Sequence, residues 1–381
     1  MWARLLLGVL ALVARAEDLP TGRIIDDVKC AADLSQGYAL YVPSNYSPDR
    51  PWSVIFAFDP RARGRTPVER FQAAAEMYGY VVAGSNNSRN GAWEASMASI
   101  QAMSLDVGQR FAIDPKRMYT AGLSGGARVA MQVALGTGKI AGVIASSAGF
   151  PDARPRKTVP FAVFGTAGTE DFNYLEMRKL DRALTTPHRV AIFEGGHTWL
   201  SSGLAVEALE WMEIQAMKSD RRAREEALIE KIFAARAAQA AAQGSHQNAC
   251  LALEALAADF EGLKDVSQFA ARAAELRRQK AGRDKLKKER EEEEREERLL
   301  VALAELEGDL GDPAKRRESF AQLRDRLVNL SRKANAPEDS PERRMARRVL
   351  RGTMVGSVER VKDPEYRKLL EALRPGTRPP G

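Results

Sequence analysis

Between residues 28 and 217, short apolar β-rich runs alternate with stretches of helical length, and this alternation stops at residue 218. The expected strands are Tyr38–Val42, Ser53–Phe58, Tyr80–Ser85, Arg117–Ala121, Ile140–Ser146, Pro160–Gly165 and Arg189–Glu194. Helices are expected over Val68–Tyr78, Glu94–Phe111, Gly125–Leu135, Tyr174–Leu184 and Trp199–Met217. Strand and helix in turn imply an α/β fold with a mostly parallel sheet covered by helices on both faces. Runs such as SVIFAF and FAVFG are apolar without alternation, as strands buried on both sides must be.

Beyond residue 218, Ala, Glu, Arg, Lys and Leu dominate, and an all-α region is expected over 218–373. Its helices are Arg221–Ala242, His246–Phe260, Val266–Leu306, Pro313–Lys333, Pro341–Val361 and Pro364–Leu373, with Gly, Asn, Asp, Ser or Pro at the breaks. Arg283–Arg298 has almost no apolar face and reads as a solvated helix held by oppositely charged pairs four apart. Arg374–Gly381 reads as a frayed end.

Charge follows the same division. Residues 17–217 carry 20 basic and 21 acidic residues, whereas 218–381 carry 36 and 30, so most of the formal +7 belongs to the tail. Basic and acidic residues interleave there, with no aromatic-basic stripe, so nucleic acid is not an expected partner. A protein partner for the tail remains open, as does a purely structural appendage.

Met1–Ala16 (MWARLLLGVLALVARA) has a positive start, an apolar run from Leu5 to Val13 and a small-x-small site at Ala14-Arg15-Ala16. This is the pattern of a cleaved export signal, giving a periplasmic or secreted product that begins after Ala16; a buried amino-terminal helix is the alternative. The run is too short to span a bilayer, and no later stretch is long and apolar enough to do so. The expected organisation is therefore 1–16 signal, 17–217 α/β domain, 218–373 helical region and 374–381 tail. Two cysteines exclude a disulfide-rich scaffold and a four-cysteine zinc site. Export makes a Cys30–Cys250 disulfide chemically possible, but free or buried thiols are the expected state.

The sequence RMYTAGLSGGARVAM places Gly122-Leu123-Ser124-Gly125-Gly126, a G-x-S-x-G, between a strand and a helix. That context puts a serine hydroxyl on a strained turn above the sheet, with helix amides aimed at a developing oxyanion. Serine needs a base, and the partners in this arrangement follow in the order Ser, acid, His. Of three histidines, His246 lies in the helical tail and His188 precedes the last strand. His197, in GGHTW, follows that strand and is the expected base. The acid should follow Pro160–Gly165, where FGTAGTEDFNY offers Glu170 and Asp171. Asp171 fits the spacing from Gly168, and Glu170 is the reserve. Gly125 should supply one oxyanion amide. The second should come from FDPRARG, where Pro60 has no amide hydrogen and Arg61 is the candidate; Asp59 could instead organise this loop. Asn90, Trp93 and Trp199 are candidate pocket residues, with plain packing the alternative for the aromatics.

Taken together, FDPRARG, SNNSRNGAW, IDPKRMYTAGLSGGAR, GTEDFNY and GGHTW resemble the α/β-hydrolase superfamily. They look most like its exported polyhydroxybutyrate-depolymerase and feruloyl-esterase-like branch, over Val28 to Met217. The Asp59-Pro60 pair departs from the His-Gly that many of these hydrolases carry. The resemblance implies a serine esterase acting on small or polymeric carboxylic esters through an acyl-enzyme, with no metal or organic cofactor. A short connection after Ile140–Ser146 implies an open site without a lid. A serine peptidase of prolyl-oligopeptidase type shares the triad order, but the chain has no room for the propeller such enzymes carry. A binding module carried on a hydrolase scaffold is the third reading.

Overall fold

A computed structural model describes residues 19–373 apart from 153, 155 and 245. The expected export segment and the Arg374–Gly381 end lie outside the described residues. Eight strands are present among the described residues: β1 (Ile24–Cys30), β2 (Asp33–Tyr41), β3 (Trp52–Phe58), β4 (Tyr80–Ser85), β5 (Ile113–Leu123), β6 (Gly142–Ser146), β7 (Ala162–Gly168) and β8 (His188–Phe193). They form one sheet in the order β1-β2-β4-β3-β5-β6-β7-β8. The pairs β3–β4, β3–β5 and β7–β8 are parallel, and β2 is antiparallel to β1 and β4. The helices interleaved with the strands are α1 (Arg65–Tyr78), α2 (Trp93–Arg110), α3 (Gly125–Thr137), α4 (Tyr174–Ala183) and α5 (Ser202–Lys218). Among the described residues that follow, the elements are all helices: α6 (Glu226–Ala241), α7 (His246–Phe260), α8 (Ser267–Arg278), α9 (Lys280–Asp309), α10 (Arg316–Ala334), α11 (Pro341–Arg360) and α12 (Pro364–Ala372). The expected mostly parallel α/β sheet followed by an all-α region is the architecture observed. None of the helices among the described residues is long and apolar enough to cross a membrane.

The chain divides into two compact units, 1–144 with 200–210, and 145–199 with 211–381. In the first, every residue of β3 is buried, as its unbroken apolar run requires. Ile55 and Phe58 are fully buried, each contributing about 1.5–3 kcal/mol relative to exposure. β1 has no counterpart among the expected strands. It is an edge strand reading IIDDVKC, half of it solvated, so it needs no apolar run.

The second unit joins β7, β8 and α4 to the tail helices. One apolar cluster packs Ile214 and Met217 of α5 on Ile229 and Ile232 of α6 and Leu256 and Phe260 of α7. Another joins Leu303 of α9, Leu323, Leu327 and Leu330 of α10, Val349 and Leu350 of α11, and Tyr366 of α12. Ser340 caps α11 by accepting from the Arg343 amide, with Pro341 at the first position, a device worth about 1 kcal/mol.

Two expectations for the tail change. Val266–Leu306 is two helices, α8 and α9, broken at Gln279, whose backbone is extended. α8 packs chiefly on α7, and the carboxyl end of α9 packs on α10 and α11. One straight helix cannot serve both clusters. Nor is Arg283–Arg298 simply solvated. Lys287–Glu291 and Lys288–Glu292 do form exposed pairs, at 3.8 and 4.0 Å. Other positions of the helix make tertiary ion pairs: Glu293 meets Arg178 and Arg182 of α4, and Glu296, 2% exposed, accepts from Arg348 of α11. Burial pushes the Glu296 carboxyl up, against the opposing pull of Arg348.

Cys30 and Cys250 are both free and buried. Burial, with Asp106 nearby, pushes the Cys30 thiol up to about 11.

Candidate active site

The first unit carries the serine turn. Ser124 sits between β5 and α3 with φ 54° and ψ −122°, a left-handed backbone for a residue with a side chain. Such a conformation costs on the order of 1–3 kcal/mol and persists only where the surroundings impose it. The surroundings here are the flanking glycines. A Cβ on Gly122 would lie 2.1 Å from the Gly126 carbonyl oxygen, and one on Gly126 would lie 1.9 Å from that of Phe58. Strand and helix therefore approach through glycine backbone alone. The Ser124 carbonyl accepts from the amides of Ala127 and Arg128, which starts α3 directly at Ser124. The amino end of α3, with its partial positive charge, thus begins at the serine.

Two loops border this turn within the same unit. The Asn90 side chain lies against Gly125, whose Cβ would meet Asn90 Oδ1 at 1.9 Å. The Asn90 amide donates to the Pro60 carbonyl at 3.0 Å, tying the SNNSRNGAW loop to FDPRARG. Asp59 is fully buried. It accepts from the Arg61 amide at 2.9 Å and from Arg63 Nε and Nη2, both at 3.0 Å. The Arg61 amide, expected to face an oxyanion, is therefore engaged inside its own loop. Asp59 acts here as the loop organiser. Trp93, 37% exposed, opens α2; Trp199, in the second unit, is 3% exposed.

The second unit carries Asp171 and His197. Backbone bonds stitch the loop after β7 to the loop after β8: Thr169 N donates to Phe193 O at 2.8 Å, and Glu170 N to Gly195 O at 2.7 Å. This pairing brings Asp171 to His197, with Nδ1 to Oδ1 at 2.8 Å. Asp171 is fully buried, and its Oδ1 also accepts from the Asn173 amide at 2.9 Å. Its Oδ2 is buried with no hydrogen-bond partner among the described residues. An ionised carboxylate only accepts, so Nδ1 of His197 carries the hydrogen and Nε2 is left as the basic nitrogen. Phe172 stacks on the imidazole at 4.0 Å between centroids and 23° between planes.

The neighbouring carboxylates separate cleanly. Glu170, the reserve acid, turns to α11 and pairs with Arg347 at 2.6 Å. His188 places both ring nitrogens 2.7 Å from carbonyl oxygens, those of Thr186 and Asp181, and so ties β8 to α4. Sequence reasoning missed Phe172 and the α11 arginines. The motif spacing carries no signal for either. No group of three or more His, Cys, Asp or Glu suited to a metal occurs among the described residues.

No family model matches the chain, and no curated protein matches it. Among solved structures, the chain is similar to an S-formylglutathione hydrolase from Staphylococcus aureus at 16% identity and TM-score 0.39, covering 51% of this chain and 98% of that one. It is similar to a feruloyl esterase module from Clostridium thermocellum at 12% identity and TM-score 0.40, over 49% and 85%. Esterase 2 of Thermogutta terrifontis aligns at 15% identity and TM-score 0.39, over 55% and 98%.

Proposed function

We propose that this chain is an exported serine hydrolase that cleaves carboxylic esters through an acyl-enzyme. The observation that carries the reading is the buried Asp171 carboxylate held 2.8 Å from His197 Nδ1. A buried charge is costly, and this one leaves an oxygen unpartnered while fixing one tautomer of one imidazole. Ser124, on a positive-φ turn at the start of α3, supports the nucleophile role.

In this mechanism, His197 Nε2 takes the Ser124 hydroxyl proton as the oxygen attacks the ester carbonyl. Asp171 holds the tautomer and stabilises the imidazolium without taking the proton. The Gly125 amide at the amino end of α3 stabilises the oxyanion. The Arg61 amide, engaged with Asp59, is not assigned that role. Imidazolium then protonates the leaving alcohol, and water resolves the acyl-enzyme by the reverse path. Asn90 and Trp93 are proposed to border the ester. Met1–Ala16 is proposed as a cleaved signal, checked by amino-terminal sequencing of the exported product.

The test is labelling by a fluorophosphonate with the modified residue mapped, beside turnover of short-chain, aromatic and polymeric esters. Ser124→Ala should abolish labelling and lower kcat by several orders of magnitude, about 10⁴–10⁶-fold. Retained turnover in that variant refutes the reading.

A further inference from the structure

The second unit holds a feature that the nucleophile, acid and base do not explain. One face of α11, from Arg344 to Gly352, touches both loops that carry the acid and the histidine. Arg348 Nη1 donates to the Thr169 carbonyl at 2.6 Å. Arg347 Nη1 donates to Glu170 Oε1 at 2.6 Å, while its Nε donates to the Ala334 carbonyl at the end of α10. Arg344 lies 3.5 Å from Glu194. Arg351 Nη1 would be 2.7 Å from a Cβ on Gly196, the residue before His197. Gly352 faces Phe172, with a Cβ there 3.4 Å from the Phe172 Cβ. Phe172 in turn stacks on His197.

These contacts reach the residues beside Asp171 and His197 while leaving both functional side chains to each other. The spacing 344, 347, 348, 351 and 352 is that of one helical face, so a rigid element presents all of them together. The element is itself anchored. Arg348 is 11% exposed and binds the buried Glu296 of α9 through Nε at 2.9 Å. Loops are ordinarily the least stable parts of a fold, and a guanidinium fork on a packed helix fixes both distance and direction.

We propose that α11 is a positioning element of the active site. Arg347, Arg348 and Gly352 hold the Thr169–Phe172 and Glu194–His197 segments at the separation where Asp171 meets His197. The inference rests on the hydrolase reading above for its consequence in turnover, and on the Asp171–His197 contact alone for its structural part. The helical region thereby belongs to the catalytic geometry, and none of its side chains need touch substrate.

The experiment compares the full chain with Arg347→Gln, Gly352→Leu and a control, Val355→Ala, at an exposed position of the same helix. Arg347→Gln removes the 2.6 Å bond to Glu170 and leaves only Arg351, 3.8 Å away. Gly352→Leu pushes Phe172 and should not weaken α11, because leucine is a better helix former than glycine. Thermal unfolding confirms that each variant is folded. Both should lower kcat about tenfold to a hundredfold with KM little changed, as expected for misplacement of a reacting group by an ångström or less. The low-field proton resonance of the Asp171-bound Nδ1–H, assigned by its loss in Asp171→Ala, should move upfield or vanish. Arg347→Lys, which keeps one donor for Glu170, should recover part of the loss. Val355→Ala should match the parent throughout. Folded variants that keep the parent's kcat and proton resonance overturn the proposal. Retained turnover in Ser124→Ala would instead sink the hydrolase reading, and the proton resonance would still decide whether α11 sets the Asp171–His197 contact.

Discussion

Replacement of Asp171 by asparagine separates the two things a carboxylate does for His197. Oδ1 accepts from His197 Nδ1 at 2.8 Å and from the Asn173 amide at 2.9 Å. An asparagine that keeps its oxygen there preserves the tautomer but removes the negative charge. A unit charge about 4 Å from the imidazolium centre is worth about 4 kcal/mol at an effective dielectric constant of about 20. That corresponds to about 10³-fold in kcat. The opposite orientation sets an NH₂ group against two N–H donors and forces the other tautomer, for which the expected loss is about 10⁴-fold. The first orientation is favoured, because Asn173 holds the acceptor in place from the backbone. It also puts two donors where the unpartnered Oδ2 now sits, costing about 1–3 kcal/mol of stability. The assay is steady-state hydrolysis of a chromogenic short-chain ester, with urea unfolding run in parallel. A folded Asp171→Asn protein within tenfold of the parent kcat would refute the argument that Asp171 acts through its charge on His197.

Gly126→Ala should fail to fold or lose several kcal/mol in chemical unfolding, because its Cβ would meet backbone at 1.9 Å. Gly136→Ala on the same helix meets nothing within 4 Å and should be neutral, or gain up to about 1 kcal/mol. Equal effects of the two would contradict the close-approach argument. Cys30 gives a pH prediction. Its thiol rises in the folded chain from an ordinary 9.0 to about 11, so its stabilising contribution is full below pH 9 and is lost as pH climbs towards 11. The unfolding free energy should drop by up to about 2 kcal/mol over that window, and Cys30→Ala should remove that part of the slope. At pH 8 native Cys30 should resist iodoacetamide, and rapid native alkylation would show the burial to be wrong.

Legibility in the sequence followed the physics of each element. β4 stands at Tyr80–Ser85 as expected, and β3 differs by one residue, because a doubly buried strand must be apolar throughout. The Ser124 turn was readable because only glycines permit its backbone approach, so the steric demand is written as residue identity. Asp171 and His197 were readable through chain order and the shortage of histidines. The edge strand β1 was not, since half its side chains face water and its pattern is polar. The break at Gln279 was not, since glutamine propagates helices well and only packing ends this one. The α11 contacts are further still from sequence reasoning. Arg347 and Glu170 lie 177 positions apart, and RRMARR reads equally well as a solvated basic face.

Composition changes at residue 218, whereas compactness groups 211–381 with 145–199. The difference is physical. Composition reports which secondary structure a segment prefers; compactness reports what that segment must bury. The tail helices hold the partners of polar groups in the preceding α/β segment. Asp259 of α7 accepts from Arg189 of β8 at 2.8 Å and from the Trp211 indole of α5 at 2.7 Å. Burial pushes the Asp259 carboxyl up, and the Arg189 guanidinium and the indole pull against that. Glu293 of α9 holds two α4 arginines, and Arg348 of α11 donates to the Thr169 carbonyl. Many of the tail's arginines are thus committed to carboxylates and carbonyls of their own unit. An excess of six positive charges over residues 218–381 therefore does not amount to a continuous surface for anions. Four of those arginines, Arg344, Arg347, Arg348 and Arg351, lie against the segments that carry Asp171 and His197, in a stretch whose own charge is nearly balanced.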